Sequence, residues 1–112
     1  MTFPKNHKFD AESQEIALIA KALSHPARIA ILLFLAKSKS CISGDISNQI
    51  PLSRTTVSQH LQELKKAGLI HGEIDGLKMN YCLCQSTITK YRALFDVFYK
   101  AIDIEICCDT NC

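Results

Sequence analysis

LSRTTVSQHLQELKKAGLI, residues 52–70, is the stretch whose reading decides the fold. Pro51 disfavours helix at Ile50 before it, and Ser53 stands where an N-cap belongs. Gly68 supplies a stop just after Ala67. The residues between predict a helix of about fifteen residues, roughly 22 Å long. Val57, Leu61 and Leu64 recur at i, i+4 and i+7 and form one apolar stripe for burial. The opposite face carries Arg54, Thr55, Ser58, Gln59, Gln62, Lys65 and Lys66, with Glu63 the one acidic residue among them. An ordinary solvated helix face would serve most amphipathic helices. Here the N-terminal half of the face is rich in hydroxyls rather than in Glu and Lys. Hydroxyls and amides can read base edges in a major groove, while Lys and Arg hold phosphates. A DNA-reading helix is the stronger expectation.

The flanks extend this reading. Upstream, CISGDISNQI (residues 41–50) has Ile42, Ile46 and Ile50 at four-residue spacing and predicts a short helix over about 43–49. Two helices joined by a tight turn, the second with a polar reading face, make a helix-turn-helix. Downstream, LIHGEIDGLKMNYCLC holds two short apolar runs around Asp75-Gly76, a strong turn signal between strands. It predicts a β-hairpin of about 70–74 and 79–84. Alternation puts Met79, Tyr81 and Leu83 on one face, and Lys78, Asn80, Cys82 and Cys84 on the other. Helix, turn, helix and hairpin form the winged-helix arrangement, with Lys78 near the hairpin tip as a phosphate contact.

Towards the N-terminus, residues 1–9 are polar and aperiodic and read as a loosely held arm. Asp10 can cap a first helix striped by Ile16, Ile19, Ala20 and Leu23. Ser24-His25-Pro26 breaks that helix, and Pro26 suits the first turn of the next. The next helix, over 26–36, is apolar nearly all round and belongs in the centre of the core. At the other end a long helix is predicted over 86–106. Ile88, Tyr91, Phe95, Phe98 and Ile102 repeat at the spacing of a helix–helix seam, and Leu94, Val97, Ala101 and Ile104 make a second stripe. One stripe can cover the domain's own core. The other needs a partner, most simply the same helix of a second subunit in a twofold dimer.

At 112 residues the chain has room for one domain with one modest core. No apolar run approaches a membrane span, and MTFPKNHKFD lacks an apolar signal segment, so a cytoplasmic protein is expected. The net charge of +2 is too small to argue nucleic-acid binding by itself. Its distribution says more: Arg54, Lys65, Lys66, Lys78, Lys90 and Arg92 lie in the middle, and after Lys100 only Asp103, Glu105 and Asp109 remain. No carboxylate pair, nucleophile–base set or phosphate-cradling glycine loop stands out, so no enzyme is expected. Six cysteines in a cytosolic protein point to metal binding or redox chemistry rather than a disulfide scaffold.

LSHPARIAILLFL (residues 23–35) and LSRTTVSQHLQELKKAGLIHGEIDGLKMNYCL (residues 52–83) resemble the second-helix signature and the reading helix plus wing of the ArsR/SmtB family of small dimeric winged-helix repressors. The likeness covers about residues 12–106. It implies a mainly α fold with a β-hairpin, a winged helix-turn-helix dimerising through its terminal helices. It also implies repression of an operon until an effector, often a toxic metal or metalloid, loosens DNA binding.

Two effector sites of that family are not matched. Many arsenic-responsive members carry a C-V-C-D-L box before the reading helix; aligned on Asp45, its two thiol positions are here Ile42 and Gly44, with Cys41 one residue off. Zinc-responsive members use Asp, His and Glu on the last helix, and residues 86–106 contain no histidine. Attention moves to the tail, ICCDTNC, with Cys107, Cys108 and Cys112. These three can converge if the helix end unwinds into a turn, for which Asp109-Thr110-Asn111 is suitable. Thiolates select soft ions, and three sulfurs without histidine suit pyramidal trivalent arsenic or antimony better than tetrahedral zinc. A frayed tail without function, thiol redox or sulfide sensing, and another soft metal are the competing readings. The helix C-terminus, Glu105 and Asp109 would raise the tail thiol pKa values, which disfavours a fast oxidant sensor.

The expected DNA-contacting set is Ser53, Arg54, Thr55, Thr56, Ser58, Gln59, His60, Gln62, Lys65, Lys66 and Lys78, with no constitutive cofactor and arsenic or antimony as inducer on Cys107, Cys108 and Cys112. His60 has two placements open to it, against DNA or tucked against the first helix of the motif. His25 reads as a turn residue, His71 as a wing residue that can touch phosphate, and Met79 as core. Cys41 is expected to pack as a small hydrophobe where its helix starts, and Cys82 and Cys84 to be structural on one face of a wing strand. The domain plan is an arm (1–9), a DNA-binding and dimerisation domain (10–106) and a cysteine-bearing tail (107–112). A soft-metal buffer that does not bind DNA is the remaining alternative, against which the hydroxyl-and-basic face argues.

Overall fold

The computed structural model describes residues 8–38, 41–43, 50–73 and 80–105. Along the chain these form α1 (Ala11–Ala22), α2 (Pro26–Lys37), β1 (Cys41–Ser43), α3 (Arg54–Lys66), β2 (Ile70–Glu73), β3 (Asn80–Leu83) and α4 (Gln85–Ile102). The helix expected over 43–49 lies outside the described residues except at Ser43, which belongs to strand β1. The Asp75-Gly76 turn, Lys78, Met79, residues 1–7 of the arm and the cysteine tail also lie outside them.

Helix starts and stops follow local chemistry. The Asp10 carboxylate accepts from the Ser13 amide at 2.7 Å and opens α1, and the neighbouring Ser13 hydrogen bonds hold its pKa below the usual carboxylate value. At α2, His25 is the N-cap: its Nδ1 accepts from the Ala27 amide at 3.0 Å, and Pro26 occupies the first turn. Ser53 caps α3 by accepting from the Thr56 amide. Gly68 ends it with φ +80°, the Gly68 amide donating to the Lys65 carbonyl and the Leu69 amide to the Leu64 carbonyl. That pair of bonds is a Schellman closure, and the left-handed residue it needs is the glycine the sequence supplies.

The core gathers around α3. Val57, Leu61 and Leu64 are each at most 1% exposed, and they pack with Ile31 and Leu35 of α2, Leu69, Ile70 and Tyr81. The stripe predicted for this helix is the one buried. Helix α2 is less central than its composition implies: Ala27, Ile31 and Leu35 are buried, while Ile29 and Leu33 stand exposed. Its apolar girth serves two faces, one inside the chain and one outside.

The sheet has β3 in the middle, antiparallel to β1 on one side and to β2 on the other. The β2–β3 pair is the expected wing, with Tyr81 buried and Asn80 exposed as alternation requires. Gly72 faces Tyr81 with φ +125°, and a Cβ there would meet the Asn80 carbonyl oxygen at 2.2 Å. Only glycine allows that approach of the two wing strands. Strand β1 was not anticipated: residues expected at a helix start instead add a third, short strand to the wing.

Helix α4 starts at Gln85 with Cys84 as its N-cap and ends at Ile102, four residues short of the expected end, with Asp103 as C-cap. It docks by its first half. Ile88 and Tyr91 pack against the core, the Tyr91 hydroxyl donates to the Ala67 carbonyl, and Lys90 pairs with Glu15 of α1 at 2.8 Å. Beyond Phe95 both predicted stripes emerge from the domain: Val97, Phe98, Ile102 and Ile104 are exposed, and so is Tyr99, which belongs to neither. No α4 residue is fully buried.

Candidate nucleic-acid interface

Burying Val57, Leu61 and Leu64 fixes which face of α3 turns outward. Thr55, Gln59, Gln62 and Lys66 follow one another along that face, about 16 Å from end to end. Arg54, Thr55, Gln59, Lys65 and Lys66 are exposed, and Ser58 and Gln62 are half-buried on the flanks. The helix thus presents amides and a hydroxyl in the centre and cations at its ends, donors and acceptors suited to base edges with charge for phosphate on either side.

Several members of the expected set are engaged within the protein. The Ser53 hydroxyl is spent on the N-cap and on a 2.9 Å bond to the Thr56 hydroxyl, so both serve the start of the helix. Lys65 donates to the Gly72 carbonyl at 2.8 Å, linking the reading helix to the wing. Lys66 lies 3.4 Å from Glu63 with both groups largely in water, a pair that contributes little and yields readily to a phosphate. His71 is exposed on the wing opposite Cys82.

His60 is a correction. It is buried at 8% exposure, on the inner side of α3, and does not reach the outer face. Its Nδ1 accepts from Arg28 Nε of α2 at 3.2 Å, and its ring lies 4.4 Å from that of His25. Arg28 also donates to the Ala22 carbonyl at the end of α1. One guanidinium therefore joins the ends of α1 and α2 to the middle of the reading helix. Burial first, then the positive surroundings of His25 and Arg28, hold the His60 pKa below the ordinary histidine value. The ring is neutral at neutral pH, with Nδ1 as acceptor. Arg28 escaped the sequence reading, although a lone charge on the otherwise apolar helix of ALSHPARIAILLFL was a usable signal.

The cysteines also depart from expectation. Cys41 is exposed, not packed as a hydrophobe, and forms a disulfide with Cys82, its direct partner across β1 and β3, with Cα atoms 4.0 Å apart. Cys84 lies beyond β3, at the N-cap of α4, as a free thiol. Hydrogen bonds with the Thr87 hydroxyl at 3.3 Å and the Ser86 hydroxyl at 3.5 Å bring its pKa down to about 7. Among the described residues no three His, Cys, Asp or Glu side chains converge as a metal site.

A three-helix core carrying an outward polar helix beside a three-stranded wing defines a winged helix-turn-helix regulator. Residues 23–73 match the family model described as a helix-turn-helix domain. The HTH-type transcriptional regulator YgaV of Escherichia coli K12 is 32% identical over 92 residues, covering 82% of this chain and 93% of that protein. The HTH-type transcriptional repressor SmtB of Mycobacterium tuberculosis is 38% identical over 65 residues, 58% of this chain and 47% of that one. Among solved structures, NolR from Sinorhizobium fredii superposes with a TM-score of 0.58 at 26% identity, covering 88% of this chain and 95% of that one. The chain belongs to the ArsR/SmtB family of HTH-type transcriptional regulators, which implies DNA binding. Among the described residues no single helix is long and apolar enough to cross a membrane.

Proposed function

We propose that the protein is a cytoplasmic, non-enzymatic, homodimeric repressor that is released from its operator by trivalent arsenic or antimony. The observation that carries the DNA-binding part is the outward row Thr55, Gln59, Gln62 and Lys66 on a helix whose other face is locked into the core. Arg54, Thr55, Ser58, Gln59 and Gln62 enter the major groove, Lys65, Lys66 and Lys78 hold phosphate, and Ser53 and Thr56 set the helix start. What supports the homodimer part is that Val97, Phe98, Tyr99 and Ile102 of α4 and Leu18 of α1 are all exposed in the single chain, an apolar face that a second copy would cover. A twofold pair of reading helices fits a palindromic operator.

The inducer part rests on the chemistry of Cys107, Cys108 and Cys112, three soft ligands that match a pyramidal trivalent centre. Metalloid binding at the end of the dimer helix favours a dimer whose reading helices no longer match successive major grooves, a coupling of about 1–3 kcal/mol. The test is operator binding by fluorescence anisotropy during titration with arsenite, zinc or peroxide, in wild type and in the Cys107/Cys108/Cys112 triple-Ser variant. Release by arsenite alone, lost in the variant, is the expected result. Release by arsenite that survives in the variant moves the site to other cysteines, and no release by arsenite removes the metalloid reading.

A further inference from the structure

Cys41 and Cys82 are not used by that scheme, yet they occupy facing positions at the point where the wing meets the chain leading into the reading helix. The loop that their bond closes, residues 41–82, contains all of α3 and β2. Strand β1 is only three residues long and pairs with β3 alone. We propose that the Cys41–Cys82 pair is a thiol–disulfide switch at the base of the wing, closed by exchange with a low-molecular-weight disulfide and opened by a dithiol, with the closed form the stronger DNA binder. The inference rests on the DNA-binding reading above and is independent of the tail cysteines.

The chemistry balances without any other co-reactant. Cys41 is exposed and Cys82 half-buried, so exchange starts at Cys41. Its thiolate attacks one sulfur of the small disulfide, whose S–S bond breaks and releases one small thiol. The Cys82 thiolate then attacks the Cys41 sulfur of the mixed disulfide and expels the second small thiol. Two protein thiols are oxidised to one disulfide, the small disulfide is reduced to two thiols, and the two protein protons end on the departing sulfurs. A dithiol reverses both steps.

The consequence for DNA follows from the loop. Closed, the bond holds both ends of the segment that carries the reading helix and the first wing strand. Open, β1 is retained only by the ladder bonds of a three-residue strand, so the chain leading into α3 is no longer fixed to β3 and the reading helix and wing keep their common arrangement for a smaller fraction of the time. Apparent affinity falls with the fraction of molecules in the competent arrangement. Cys84, two residues from Cys82 and free, is the nearest competing thiol and has to be separated from the pair by its own variant.

The full-length chain is equilibrated with glutathione disulfide or with dithiothreitol and then measured in three ways. Peptide mapping after thiol blocking reads the pairing, thermal unfolding reads the constraint, and anisotropy reads binding to a fluorescent mixed-sequence duplex across a salt series. Wild type, Cys84→Ser, the Cys107/Cys108/Cys112 triple-Ser variant and the Cys41→Ser/Cys82→Ser double variant are compared. The expected result is a Cys41–Cys82 peptide and affinity about fivefold or more higher in the oxidised form, for every variant except the double one. Mapping that finds Cys41 and Cys82 as thiols in the oxidised sample, or equal affinities in both states, overturns the switch. Salt-independent or absent DNA binding in both states overturns the DNA-binding reading instead, while mapping still decides whether the pair closes.

Discussion

Helices α3 and α4 carry equally regular apolar stripes and use them in opposite ways. Helix α3 buries Val57, Leu61 and Leu64 almost completely inside its own chain and turns a polar face to solvent. Helix α4 spends only its first half on the domain, through Ile88 and Tyr91, and leaves Val97, Phe98, Tyr99 and Ile102 exposed. A stripe establishes that a helix has something to cover, not which chain it covers. On the proposed function, α3 works through the face opposite its stripe and α4 through the stripe itself.

The contrast is sharpest under truncation. Leu61→Ala leaves a cavity under the reading helix and lowers unfolding stability by about 2–5 kcal/mol, read by denaturant titration. Phe98→Ala, a larger deletion on paper, changes the stability of dilute single chains by less than about 1 kcal/mol because its ring is partly in water already. Its effect appears as weakened self-association in sedimentation. Equal losses of monomer stability for the two variants would erase the distinction between the helices.

The wing gives the next effect in size. Gly72→Ala has to move the Asn80–Tyr81 backbone or abandon φ +125°, at a cost of about 1–3 kcal/mol. Thermal unfolding should fall accordingly, with DNA affinity falling further because β2 carries the carbonyl that Lys65 grips. An unchanged melting temperature would show that the two strands are not in this register. At the start of α3, Ser53→Ala removes the cap to the Thr56 amide and costs about 1 kcal/mol, while Ser53→Asp retains it.

These devices were legible in the sequence to unequal degrees. Asp10, Ser53 and Gly68 mark helix ends through bonds to residues three places away, so the string contains both partners, and Pro26 marks one by its fixed ring and missing amide donor. The wing was legible for the same reason, from Asp75-Gly76 and the alternation around Tyr81. What escaped depends on pairs far apart in sequence: Cys41 with Cys82, Arg28 with His60, Gly72 against Asn80. Strand β1 exists only because β3 offers it an edge, and no local pattern in CIS announces that. His60 is buried with its hydrogen-bond partner, Arg28, 32 residues upstream. The outward row of α3, by contrast, needed only the position of the stripe.

His60 supplies the smallest expected effect and the only one set by pH. Its folded pKa is lowered, so the unfolded chain binds more protons around and below the ordinary histidine pKa of about 6.5. The stability from the neutral ring is complete above that value and is lost as pH falls through the folded pKa. Protonation removes the Nδ1 acceptor that Arg28 uses and sets a second cation beside it. Wild type should therefore lose stability across this acid window more steeply than His60→Asn, which cannot titrate. Parallel pH profiles for the two would assign the acid loss to carboxylates.

The central claim is that the outer face of α3 reads DNA, and the most direct test is to place a negative charge on it. Gln59→Asp places an anion where the account puts the groove, at an exposed position whose change leaves the core untouched. Binding to a fluorescent duplex is followed by anisotropy from low to moderate salt for wild type and variant. The account predicts that wild-type log K falls linearly with log salt, that the variant binds about tenfold or more weaker, and that both unfold at the same temperature. Full-strength, salt-dependent binding by Gln59→Asp would contradict it and place the DNA on another face of the molecule.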